Sequence, residues 1–99
     1  MPKIKEKRSV TNEIFIGNKP FMKYVIATMM QLKESNSAVI KARGKFISRG
    51  VDVAEVVRKR IRETESLELK PQITTNTEGF ENTEGKRINV STIDIVLNK

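Results

Sequence analysis

The chain has no cysteine, no histidine and no tryptophan. Without cysteine there is no disulfide framework, no thiolate nucleophile and no cysteine-ligated metal. Without histidine the commonest general base and the commonest metal ligand are both missing. Aromatic residues are few, one tyrosine and four phenylalanines, and proline and glycine number only three and five. That scarcity argues against fibrous, linker-like or disordered material. Hydrophobic runs are only a few residues long, too short to span a membrane as a helix. No apolar core and cleavage site of a signal peptide opens the sequence, so a cytosolic location is expected.

What is present is charge. Of 99 residues, 31% are charged and 37% hydrophobic, and nineteen basic residues against twelve acidic ones leave +7. That length supports one domain, expected over residues 13–99 behind a flexible basic leader at 1–12. The distribution is uneven. Lys3, Lys5, Lys7 and Arg8 crowd the leader, and Lys41, Arg43, Lys45 and Arg49 form a block free of acids. Glu63, Glu65, Glu68, Glu78, Glu81 and Glu84 then reverse the sign against Lys70 alone. Scattered charge merely solvates a surface; an acid-free cationic block beside a glycine points to a polyanionic partner.

Periodicity predicts the order β-α-β-α-β-β, an α+β two-layer sandwich. Glu13 to Gly17 reads as a strand with Ile14 and Ile16 on one face and Phe15 on the other. Pro20 then opens a helix running to about Glu34, its apolar stripe carried by Phe21, Val25, Thr28 and Leu32. Ser37 to Ala42 is a second strand. Arg43-Gly44-Lys45 interrupts it, and Ser48 is the expected cap of a helix to about Arg62. Val51, Ala54, Val57 and Ile61 form its buried face, Val53 and Val56 a flanking stripe, and Glu55 and Lys59 an exposed i,i+4 pair. Leu67 to Thr75 and Ile88 to Leu97 alternate as strands, the latter changing phase near Ser91-Thr92 as if bulged. The polar link Asn76 to Gly85 makes these two a long hairpin whose tip projects from the domain.

Catalytic chemistry finds no support. Asp52 and Glu55 neighbour each other on one helix but lack a third ligand, so they read as surface charges. Gly79 to Lys86 resembles a phosphate loop only superficially: five residues separate the glycines, Arg87 follows the lysine, and strands flank both sides. Asn89-Val90-Ser91 matches a glycosylation acceptor in a strand, where it carries no meaning. No cofactor or metal is implied, and a non-enzymatic role is expected.

Phosphate binding has a mechanism. Lys41 and Arg43 end the second strand, Gly44 permits close backbone approach, and Lys45 follows; Asn18 and Lys19 precede a helix N-terminus. Should both loops occupy one sheet edge, they form an anion surface that holds backbone phosphates without reading bases. Arg49 and the Arg58-Lys59-Arg60 run extend it. For base stacking the supply is thin: Tyr24 and three phenylalanines read as core, and only Phe80 as exposed.

Gly17-Asn18-Lys19-Pro20-Phe21-Met22-Lys23-Tyr24-Val25, then Ile40-Lys41-Ala42-Arg43-Gly44-Lys45 with Ile47-Ser48 and Val51-Asp52, and finally Val90-Ser91-Thr92-Ile93-Asp94-Ile95 occur in one order. Together, over about residues 12–99, they resemble Alba, the archaeal chromatin family. The resemblance implies a homodimer that binds double-stranded DNA with little sequence preference, and RNA as well, in the cytoplasm on the nucleoid. It further implies contacts from Lys19, Lys41, Arg43, Lys45 and Arg49, with Asn18 and Gly44 in the loops and Lys86 and Arg87 on the arm. Ile61 takes the place of an aromatic residue that in some relatives joins dimers along DNA. Alternatives from the residues are an RNA-binding subunit of a ribonucleoprotein or RNA chaperone, a nuclease, and a protein-binding scaffold. The cationic loops hold none of the clustered carboxylates that a metal-dependent nuclease needs.

Overall fold

A computed structural model describes residues 12–99, so the predicted leader lies, apart from Asn12, outside the described residues. The elements are β1 (Glu13–Phe15), α1 (Phe21–Ser35), β2 (Ser37–Arg43), a 3-10 turn (Gly44–Phe46), α2 (Ile47–Glu65), β3 (Gln72–Glu81) and β4 (Arg87–Asn98). They build a four-stranded sheet in the order β1-β2-β4-β3, in which β1 runs parallel to β2 and the other pairs are antiparallel. This is the predicted β-α-β-α-β-β sandwich.

Alternation makes the core. Ala38, Ile40 and Ala42 of β2 and Ile93, Ile95 and Leu97 of β4 bury one sheet face. Tyr24, Val25, Thr28 and Leu32 of α1 and Val53, Ala54, Val57 and Ile61 of α2 cover it. Gly50 lets α2 approach β2 closely: a Cβ there would stand 3.0 Å from that of Ala42. Both helices end in a left-handed residue, Asn36 and Ser66, whose N–H groups donate to the carbonyls of Leu32 and Arg62. Among the described residues no helix is long and apolar enough to cross a membrane.

Several boundaries differ from expectation, each for a local reason. Ser48 caps nothing; the chain enters α2 through the 3-10 turn, with Gly44 at φ 56°, and Ser48 lies inside the helix. The helix continues past Arg62 to Glu65, and Glu55 pairs with Arg58 at 2.9 Å rather than with Lys59. Leu67–Pro71 is not strand: Leu69 is fully buried as a plug in the core, and Pro71 brings no backbone donor. The third strand begins only at Gln72, but it runs through the polar stretch to Glu81. Every residue of β3 is exposed, so the ladder with β4 carries it and no apolar alternation marks it. The connection shrinks to Asn82–Lys86, where the Asn82 side-chain oxygen accepts from the N–H groups of Glu84 and Lys86 and Gly85 takes φ 81°. No bulge interrupts Ser91-Thr92; the register is continuous on both sides. The phase change arises because β4 outruns the helices. Ile93, Ile95 and Leu97 face them, whereas Ile88 and Val90 fall on the opposite face, Val90 close beside Gly44.

Candidate nucleic-acid interface

Parallel pairing of β1 with β2 brings their C-terminal ends to one sheet edge. The loop after β1 carries Asn18 and Lys19, and the turn after β2 carries Gly44 and Lys45, so the predicted convergence occurs. Arg49 fastens the two: its guanidinium donates to the Lys19 carbonyl at 2.6 Å and lies 5.7 Å from the centre of the Tyr24 ring. Arg49 thus acts as a brace inside the edge. Tyr24 contributes more than the core filling expected of it. Its buried hydroxyl accepts hydrogen bonds from the N–H groups of Gly17 and Lys19, both at 2.9 Å, which fixes the backbone that presents Lys19. The signal for this role was the spacing of a tyrosine seven residues after the loop glycine.

The candidate cations are not equivalent. Lys19 and Lys45 are exposed and meet no carboxylate among the described residues, the Lys45 ammonium resting 5.4 Å from the Phe46 ring centre. Lys41 points onto the sheet face away from the helices, where Asp94 sits directly opposite in the β2–β4 register. Its ammonium donates to Asp94 at 3.1 Å and lies 3.7 Å from Glu13. The hydrogen bond to Asp94 raises the Lys41 pKa above the ordinary lysine value, against the opposing effect of burial. Lys41 therefore stays protonated throughout the neutral and mildly alkaline range. Arg43, on the same face, pairs with Glu78 of β3 at 3.2 Å, and both side chains are about half exposed.

Lys86 and Arg87 lie at the far end of the β3–β4 arm, Arg87 five residues up β4 from the Thr92 that opposes Arg43, or ~17 Å away. The structure does not bring them to the loop edge. Nor does the Arg58-Lys59-Arg60 run join it. Arg58 stands nine residues along α2 from Arg49, about 14 Å, and is engaged by Glu55, Glu68 and the Leu69 carbonyl. Arg62 completes that cluster, and its hydrogen bond holds the Glu68 carboxyl below the usual glutamate range.

The acidic stretch that holds Glu78 is visible in the sequence, but its pairing with Arg43 is not, because that depends on β3 extending through it to Glu81. A phosphate approaching Arg43 competes with that carboxylate for the guanidinium. An exposed pair of this kind contributes at most ~1 kcal/mol. For a phosphate-bearing ligand such as duplex DNA, the substitution Glu78→Gln is therefore expected to raise affinity up to about fivefold per protomer at low salt, with the gain fading as salt rises. Fluorescence anisotropy at two ionic strengths checks this; an unchanged affinity would mean that Arg43 meets no phosphate.

Phe15 was expected in the core and is not. At 65% exposure it is the most exposed large hydrophobic residue of the described chain, ahead of Phe80 at 43%. It falls on the open face because β1 alternates in phase with β2, whose Lys41 it opposes.

The Alba family profile matches residues 12–78. A DNA/RNA-binding protein Alba of Methanocella arvoryzae is 46% identical over 89 residues, spanning 89% of this chain and 90% of the relative. One from Methanococcus maripaludis is 43% identical over 90 residues, spanning 89% of this chain and 98% of its own. Among solved structures, Alba from Thermoplasma volcanium superposes with a TM-score of 0.75 at 41% identity, covering 89% of this chain and 100% of the other.

Proposed function

The chain belongs to the Alba family, and from that premise we propose that it binds nucleic acid, coating and compacting double-stranded chromosomal DNA with little sequence preference and binding RNA by the same surface. The observation that carries the reading is the shared edge of β1 and β2, where Lys19 and Lys45 stand, among the described residues, without carboxylate partners beside Arg43. Ammonium and guanidinium groups so presented attract phosphates and carry no base code. Relatives named DNA/RNA-binding protein Alba support it. Association with the chromosome in the cytoplasm follows from the same reading.

The protein acts as a homodimer, which doubles the number of loops on one duplex. Val53 of the flanking stripe and Ile61 of the buried face are both consumed by the protomer's own core, at 0% and 2% exposure, and leave no apolar surface for a partner. Support for the dimer comes instead from β3, an edge strand exposed along all ten residues and carrying Ile73 at 57% exposure. Edges of that length are ordinarily covered.

Duplex binding by single variants tests the assignment. Arg43→Ala or Lys45→Ala is expected to weaken affinity about thirtyfold, since each substitution removes one contact of ~1 kcal/mol from both protomers of the dimer. Lys59→Ala, a change on the exposed surface of α2, leaves it unaltered. Equal losses from loop and helix variants would remove the loop edge from the binding surface.

A further inference from the structure

The open face of the sheet forms a cleft of about 530 Å³, lined by Phe15, Lys41, Arg43, Asn76, Thr92 and Asp94 among others. Two rows of side chains cross it. Phe15, Lys41 and Asp94 follow one another from β1 through β2 to β4, and Arg43, Thr92 and Asn76 make the next row out to β3. We infer that this cleft receives a single unpaired nucleobase, stacked on the Phe15 ring, beside the loop cations that hold the phosphates.

The electrostatics favour a base over a phosphate. Inside the cleft each cation already has its counter-charge, Lys41 with Asp94 and Arg43 with Glu78. A phosphate entering there would have to break a pair and face the released carboxylate. A base is neutral, planar and edged with donors and acceptors. The amide of Asn76 offers both kinds of partner, the second oxygen of Asp94 accepts beside the one that Lys41 engages, and the Thr92 hydroxyl, which donates to the Asn76 carbonyl at 3.3 Å, accepts as well. Its flat face needs an aromatic surface, and Phe15 presents one that is 65% exposed. Stacking of this kind holds any base, since every base has a π-face. The volume lies within the range of small-ligand sites.

The phosphates belonging to such a nucleotide have a place as well. Phe15 precedes by two residues the Gly17 that opens the Lys19 loop, so the ring borders the cationic edge. Arg43 stands between edge and cleft. In a duplex the base faces are occupied by their neighbours, and the ring gains nothing from them. Only unpaired strands, RNA or DNA, are therefore expected to use the cleft. The inference rests on the nucleic-acid reading of the loop edge.

Because the chain has no tryptophan, Phe15→Trp installs a lone indole reporter at the site. The experiment titrates this variant, the wild type, Phe15→Ala and Phe15→Tyr with short oligoadenosine, with oligodeoxyadenosine and with duplex DNA. Stacking predicts quenching of the indole by both single strands and none by the duplex. It also predicts that Phe15→Ala lowers affinity for both single strands about 5- to 150-fold, the range for losing one stacked base. Phe15→Tyr keeps that affinity, and the duplex affinity of all variants stays within about twofold. Undiminished binding of single strands by Phe15→Ala overturns the inference, as does equal quenching by duplex. A loss of self-association on sedimentation, in place of a loss of single-strand affinity, would instead make Phe15 a contact between copies and likewise overturn it. Wild-type protein that binds duplex but no single strand defeats this inference alone; protein that binds neither defeats the reading beneath it.

Discussion

Affinity for duplex DNA is expected to fall about 250- to 1000-fold between roughly 50 and 200 mM salt. The expectation follows from which cations stand at the loop edge, Lys19 and Lys45 without a carboxylate partner among the described residues and Arg43 paired with Glu78. Lys19, Arg43 and Lys45 supply three phosphate contacts per protomer, six in the proposed dimer. Each neutralised phosphate releases condensed counterion, so six contacts on B-form DNA give a log–log slope of about −5. Arg43 makes the slope shallower. Its move from Glu78 to a phosphate leaves a bare carboxylate that gathers a cation back from solution, which cancels part of the release. The wild-type slope should then lie nearer about −4, and Glu78→Gln should steepen it toward about −5. Glu78→Gln then raises affinity most at the low-salt end and least at the high-salt end, which titration at several ionic strengths resolves. A slope near zero, or strong preference for one sequence, would eliminate phosphate coating as the mode of binding.

Much of this was legible in the residues, and the parts that were not share a cause. Helical stripes at 3.6-residue spacing and strands at two-residue spacing gave the element order, because burial on one face acts locally on residue type. The meeting of the Lys19 loop with the Arg43–Lys45 turn depends on β1 and β2 running parallel, which no local pattern fixes. Pairings between distant strands were invisible. Lys41 and Asp94 are fifty-three residues apart and meet only through the β2–β4 register. Arg43 and Glu78 meet because a polar stretch, read as a loop, continues β3 by ladder hydrogen bonds alone. These two pairs convert a uniformly cationic block into free charges at the edge and balanced charges on the sheet face. The exposure of Phe15 is hidden from the sequence for a related reason. Its alternation with Ile14 and Ile16 was visible, but nothing local says that the sheet's second face stays uncovered.

Ile61 carries the last expected result. In the sequence it occupied a position that the family resemblance linked to contacts between dimers; in the structure it is 2% exposed and part of the central cluster. A buried isoleucine cut to alanine loses its transfer free energy and leaves a cavity, so Ile61→Ala should lower the free energy of unfolding by ~2–5 kcal/mol. Against a total of about 5–15 kcal/mol for a domain, that is a large share. It corresponds to a drop in Tm of about 10–25 °C at this size. Enlarging the same side chain is expected to hurt as well. Ile61→Phe must find room among Val57, Leu69 and their neighbours in a packed interior, at a cost of ~1–3 kcal/mol. A contact between dimers predicts the opposite pattern: alanine would leave unfolding unchanged and reduce cooperative binding to DNA, and phenylalanine would strengthen it. Urea unfolding of both variants, with DNA binding measured where each remains folded, therefore decides by sign. Losses of stability in both directions, with cooperativity unaltered, are what a core position demands; stability preserved in both would put Ile61 at the surface.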